Sequence, residues 1–166
     1  INCVSWYEAA AFCIWDGGRL PSDMEWEHAT RGGDEGRQVP WTMNEPDHAA
    51  FANYRNYCET DVQNARPECQ GVAQIWNVGA RPPGDGRWGH SDLAGNLWEL
   101  VLDYVGPGLT CSDCARHEPY AQEPTHVARG GGYHFDLGDG LWWRDEYRIQ
   151  EPGIYVGFRC ARRSLE

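Results

Sequence analysis

The sequence predicts a loop-rich α+β domain, and three observations carry that expectation. Two short helices, each opened by its own capping box, stand close to the N-terminus. Strand-like runs follow, the clearest of them in the second half of the chain. The 166 residues include 20 Gly, 9 Trp and 8 Tyr, a balance that favours turns and irregular loops pinned by large aromatic side chains. This length suits one compact domain with a real core. The opening residues, Ile1 to Val4, read like the middle of a strand and predict that preceding sequence is missing from the chain.

The first helix is expected within residues 4–18. Ser5 is placed to cap it and Glu8 completes the S-x-x-E box. Trp6, Ala9, Ala10 and Cys13 recur at i, i+3, i+4 and i+7 as one buried stripe, and Gly17 and Gly18 supply a left-handed stop. A tight turn through Leu20 and Pro21 leads to a second box, Ser22 with Glu25, whose helix ends at Gly32 and Gly33.

Residues 34–90 hold Pro, Gly, Asn and Asp at short intervals around Trp41, Phe51, Tyr54, Tyr57, Trp76 and Trp88. They read as long surface loops with small pieces of strand. Residues 97–104 predict a strand buried on one face and entered through a Gly95-Asn96 turn. Residues 127–133 and 155–161 predict two further strands, with glycines where backbones or a ligand approach closely. No internal repeat, low-complexity tract or linker divides the chain.

The formal charge is −11, from 25 acidic and 14 basic residues, without acidic blocks. Such a surface lacks the electrostatic footprint for nucleic acid or for an anionic membrane. No apolar run approaches the roughly 18–20 residues that span a bilayer. Seven cysteines stand at 3, 13, 58, 69, 111, 114 and 160. Zinc would want a second knuckle beside Cys111 and Cys114, and none follows. Disulfides in an oxidising compartment are better supported, so the expected location is secreted, periplasmic or cell-surface.

Four ordered motifs then carry a family resemblance. They are V-S-W through E-W-E at residues 4–27, A-G-N-x-W-E at 94–99, R-G-G at 129–131 and G-F-R-C at 157–160. Together they resemble the sulfatase-modifying-factor family, which includes formylglycine-generating enzyme. The resemblance implies a C-type-lectin-related α+β fold across residues 1–166, with the N-terminal strands of that fold absent.

The family's oxidase activates oxygen at copper(I) held by two cysteines shortly after its R-G-G, a soft metal on soft ligands. The resemblance places Phe135 and Gly140 at those positions, and no cysteine lies between Cys114 and Cys160. Sulfatase activation and bound copper are therefore not expected. Relatives in ergothioneine biosynthesis use iron held by histidines. Here His28, His48, His90, His117, His126 and His134 are scattered and form no HxH or HxxxH pair.

Structural Ca²⁺ is implied at the turn of residues 92–99. Asp92 and Glu99 would supply carboxylates, and Gly95 and Leu97 main-chain carbonyls, all hard oxygen ligands. The alternative is that Asp92 caps the turn and Glu99 pairs with an arginine. A second family calcium site resembles Asn53 with Tyr54, but its downstream Asp falls on Gln70. The resemblance also pairs Cys13 with Cys160. A second family disulfide falls on Thr30 and Asp145, so both of its partners are missing together. Cys58 with Cys69 and Cys111 with Cys114 are then expected to pair locally, leaving Cys3 free or bonded to the absent segment.

Residues 133–155 correspond to the family's substrate cleft, with Tyr133, His134, Phe135, Asp136, Trp142 and Arg144 as candidate ligand contacts. Aromatic and arginine side chains dominate binding hot spots. The alternative has Trp142 and Trp143 filling the core, with Arg144 and Arg148 in buried ion pairs. The same region carries diversified residues in the variable proteins of retroelements. The leading expectation is a non-catalytic domain that binds a peptide, glycan or protein. An oxidase with relocated chemistry and a purely structural module are the alternatives.

Overall fold

The computed structural model describes residues 1–41, 51–54, 75–107, 115–119, 122, 124–133, 144–148 and 152–163. The chain forms two compact units. One joins Ile1–Glu27, Trp98–Arg129 and Arg144–Glu166, and the other joins His28–Leu97 and Gly130–Trp143.

Helix α1 runs Trp6–Trp15, with both halves of its capping box formed between Ser5 and Glu8. Gly17 takes φ 79° and donates to Ile14 O at 3.0 Å, while Gly18 donates to Cys13 O at 2.8 Å. This is the Schellman stop that the glycine pair predicts. Helix α2 runs Asp23–Arg31. Ser22 and Glu25 bond reciprocally ahead of it, at 2.8 and 3.2 Å. Gly32 and Gly33, both at φ 65°, end it.

The first unit is built on a four-stranded sheet in the order β3-β2-β1-β4. Its strands are β1 Trp98–Tyr104, β2 Thr125–Arg129, β3 Asp145–Arg148 and β4 Val156–Phe158. The β1–β2 and β2–β3 pairs are antiparallel, and β1 runs parallel to β4. The first pair slips register between Leu100 and Tyr104.

Three expectations change here. β1 is buried on both faces over its first four residues, not on one. It is a central strand, with α1 against it through a 2.8 Å bond from Trp6 Nε1 to Val101 O. β2 ends at Arg129 because Gly130 and Gly131 turn away at φ 92° and 73°. β3 went unpredicted, since its four residues, three of them charged, carry no apolar alternation.

The core of this unit gathers Ala9, Cys13, Leu20, Trp26, Leu100, Val101, Val127, Ala128 and Val156. The Cys13–Cys160 disulfide joins α1 to the segment after β4 across 147 positions. The second unit has its own buried cluster of Val39, Trp41, Ala52, Tyr54 and Ala94. The expected turn before β1 is present, and it is left-handed, with Gly95 at φ 77° and Asn96 at φ 65°.

Candidate functional site

Helix α2 places Asp23, Trp26 and Glu27 three and four positions apart, so they share one face. Arg129, at the end of β2, is almost fully buried. Its Nε lies 2.6 Å from Asp23 Oδ1, an ion pair rather than an aligned hydrogen bond, and its Nη2 lies 2.6 Å from Glu27 Oε2. The guanidinium also sits 5.2 Å from the Trp26 ring centroid. Arg144 reaches the same carboxylate from the other side, its Nη2 2.6 Å from Asp23 Oδ2. Asp23 thus joins a buried arginine to a half-exposed one. Burial pushes its carboxyl above the ordinary value, against the pull of Arg129 and then Arg144.

Two acids on β1 brace this arrangement. Asp103 accepts the Asp23 N–H and the Arg116 N–H, each at 2.7 Å. Glu99 accepts Trp26 Nε1 at 2.7 Å and Arg159 Nε at 2.5 Å, and its other oxygen pairs with Arg159 Nη2. Buried carboxylates keep their charge only where donors surround them. Each of these carboxylates has such donors.

His126 on β2 lies between two aromatic rings, stacked 3.9 Å from Trp6 and 4.0 Å from Tyr104. Its Nδ1 is bonded to Asp103 O at 3.0 Å. Burial lowers its pKa to about 4, so the imidazole is neutral at ordinary pH.

In the second unit, Asn96 is a hub. Its N–H donates to Asn53 O at 3.0 Å, and its C=O accepts the Tyr133 N–H at 2.9 Å. Its carboxamide exchanges bonds with the backbone of Trp76, at 3.0 and 3.3 Å. Tyr54 donates its hydroxyl to Gly130 O at 2.8 Å.

Of the predicted ligand contacts, Tyr133 is held through its backbone by Asn96, and Arg144 is the half-exposed partner of Asp23. His134, Phe135, Asp136 and Trp142 lie outside the described residues, as does Gly140. At the predicted calcium turn, Asp92 Oδ2 accepts the Gly79 N–H at 2.8 Å. Gly95 and Leu97 follow in that turn, while Glu99 belongs to β1 and is occupied by Trp26 and Arg159. The set offers the oxygen donors that Ca²⁺ takes, but Glu99 already faces a guanidinium. Among the described residues, no three His, Cys, Asp or Glu side chains gather to hold a metal ion.

The Cys13–Cys160 pair is bonded, and Cys3 is free and exposed. Cys58, Cys69, Cys111 and Cys114 lie outside the described residues, as does Gln70. Thr30, at one end of the missing second disulfide, is buried. The sequence places Arg129 in the R-G-G motif and Asp23 within the motif of residues 4–27, but neither motif shows that the two pair, and Asp103 belongs to none. A buried ion network is assembled from distant segments. The signal available was the pair of acids spaced at i, i+4 on one strand, Glu99 and Asp103.

Two capped helices against a mixed sheet, stapled by one long-range disulfide and braced by buried Arg–carboxylate pairs, define a small irregular α+β domain. The chain matches the sulfatase-modifying factor enzyme 1-like domain over residues 1–164 and belongs to that family. It is 36% identical over 166 residues to the inactive C-alpha-formylglycine-generating enzyme 2 of Mus musculus, covering 95% of this chain and 47% of that protein. With the formylglycine-generating enzyme of the same organism it shares 29% over 163 residues, 95% of this chain and 42% of the relative. The chain thus spans less than half the length of these relatives. Among solved structures, PvdO from Pseudomonas aeruginosa superposes with a TM-score of 0.72 at 21% identity, covering 95% of this chain and 59% of that one. Treponema denticola variable protein 1 gives 0.71 at 19%, covering 99% and 71%. These structural likenesses speak for the fold alone.

No helix among the described residues is long and apolar enough to cross a membrane.

Proposed function

We propose that this chain is a non-catalytic binding domain of the formylglycine-generating-enzyme type, carried on an extracytoplasmic protein. Its ligand is a peptide, glycan or protein, met through residues 133–155. The observation that carries the reading is the absence of any cysteine between Cys114 and Cys160, where the family's copper-binding pair belongs. Copper(I) needs soft thiolate ligands, and neither Phe135 nor Gly140 offers one. The relative named as an inactive formylglycine-generating enzyme is in keeping with a family scaffold used without oxidase chemistry.

The Cys13–Cys160 disulfide supports an oxidising compartment. Arg144, anchored through Asp23 yet partly exposed, is the kind of preorganised side chain that anchors an interface. Structural Ca²⁺ on the Asp92 turn is a separate proposal. It would rest on the Asp92 carboxylate and the Gly95 and Leu97 carbonyls, leaving Glu99 to Arg159.

The binding reading is tested by screening the folded chain against peptide and glycan arrays, then repeating the screen with Tyr133→Ala and Arg144→Ala. It expects saturable binding that both variants weaken. An array with no ligand, or a ligand indifferent to both substitutions, overturns it.

A further inference from the structure

Arg81 is held differently from Arg37 and Arg87 of the second unit. Arg37 and Arg87 both pair with Glu35, at 2.5 and 3.2 Å. The Arg81 guanidinium instead sits over an indole, its Cζ 4.4 Å from the Trp76 centroid. Its Nε is buried without a hydrogen-bond partner, and among the described residues no carboxylate pairs with it. The chain has 25 acidic residues against 14 basic ones, so carboxylates are plentiful. An arginine with no carboxylate partner among the described residues, in so acidic a protein, has its terminal Nη pair left for an anion.

The platform beneath it is fixed. The Trp76 backbone is bonded in both directions by the Asn96 carboxamide, and Asn96 is itself buried. The carbonyl of Asn96 holds the Tyr133 N–H. Trp76 and Tyr133 are therefore both tethered to Asn96. Stacking orients the planar guanidinium before any ligand arrives, so little side-chain entropy remains to be lost on binding.

We infer that Arg81, laid on Trp76, is a carboxylate-recognition site for an acidic side chain of a peptide ligand. This rests on the binding-domain reading above and names the ligand's chemistry. A guanidinium fork matches the two oxygens of a carboxylate. A peptide is favoured over an acidic sugar because Arg81 already covers one face of Trp76, which halves the indole surface open to a sugar ring. The competing internal partner is Asp85, four residues on and past the Pro82–Gly84 turn, whose Oδ1 is also buried without a partner.

The test observes the Arg81 side-chain Nε–Hε signal by ¹⁵N NMR on the folded chain. The probes are a capped Gly-Glu-Gly peptide, its Gly-Gln-Gly counterpart and glucuronate. Expected is a saturable shift with the Glu peptide, absent with the Gln peptide and smaller with glucuronate. Arg81→Lys, which keeps the charge and loses the fork, weakens binding about tenfold. Arg81→Met abolishes the response of Trp76 fluorescence to the Glu peptide while the thermal midpoint confirms folding. The inference fails if the Glu and Gln peptides act alike or glucuronate acts more strongly. It also fails if Asp85→Asn alone moves the Arg81 signal and the Glu peptide does not. A ligand found on the arrays that needs Tyr133 but ignores Arg81→Met would overturn this site and leave the binding-domain reading standing.

Discussion

Arg159 grips both carboxylate oxygens of Glu99, and Trp26 donates its indole N–H to the same group at 2.7 Å. One side chain on the central strand thereby joins α2 to the residue that precedes Cys160. Glu99→Gln removes the charge and leaves the guanidinium with a neutral partner. We expect a loss of about 3 kcal/mol, the scale for breaking a buried pair. Urea unfolding of the variant against the wild-type chain measures it, and a loss below ~1 kcal/mol would show that Arg159 finds another acceptor.

His126 makes stability depend on pH. Burial holds its pKa near 4 in the folded state, against 6.5 ordinarily, so the unfolded chain binds the extra proton more readily. The stabilising contribution is complete above pH ~6.5 and is lost progressively as the pH falls toward about 4. The shift corresponds to about 3 kcal/mol. Thermal midpoints between pH 4 and 7 should show a downward slope with acidification that His126→Phe flattens. An unchanged slope in the variant would place the proton elsewhere.

The Cys13–Cys160 bond closes a loop of 147 residues. The chain-entropy argument gives about 4–5 kcal/mol for loops of that size, although measured gains often fall short. Replacing both cysteines by alanine should lower the thermal midpoint by roughly 8–15 °C for a chain of this length. A shift of a degree or two would mean that the Arg19–Ala161 bridge and the Asp16–Arg162 pair hold the end of α1 and the last segment together without it.

Chelation tests the proposed Ca²⁺. If the Asp92 turn binds the ion, EGTA lowers the thermal midpoint, because an ion that binds only the folded state stabilises it. Asp92→Asn should then remove the sensitivity to chelator. A midpoint that ignores EGTA in the wild-type chain would retire the proposal.

The helices were legible because capping is local. Ser5 with Glu8, Ser22 with Glu25, and the glycines at 17 and 32 all act within a few residues of the boundary they set. The long-range disulfide was legible only through the family resemblance, since nothing near Cys13 names a partner 147 positions away. β3 was not legible. A four-residue edge strand of Asp145, Glu146, Tyr147 and Arg148 owes its place to pairing with β2 rather than to its own pattern. The Asp23–Arg129–Glu27 cluster was hidden for a similar reason. Charged residues read as surface in a sequence, and only the fold shows that Arg129 is buried among acids that neutralise it.

On the proposed reading, this family scaffold works without oxidase chemistry. The most direct measurement incubates the folded chain, with copper(I) and oxygen, with a peptide carrying the C-x-P-x-R sequence and follows the peptide's mass. An unmodified cysteine is expected at every time point if, as the family resemblance implies, Phe135 and Gly140 take the places of the two copper-binding thiolates. Conversion of that cysteine to formylglycine, lost when residues of this chain are substituted, would contradict it.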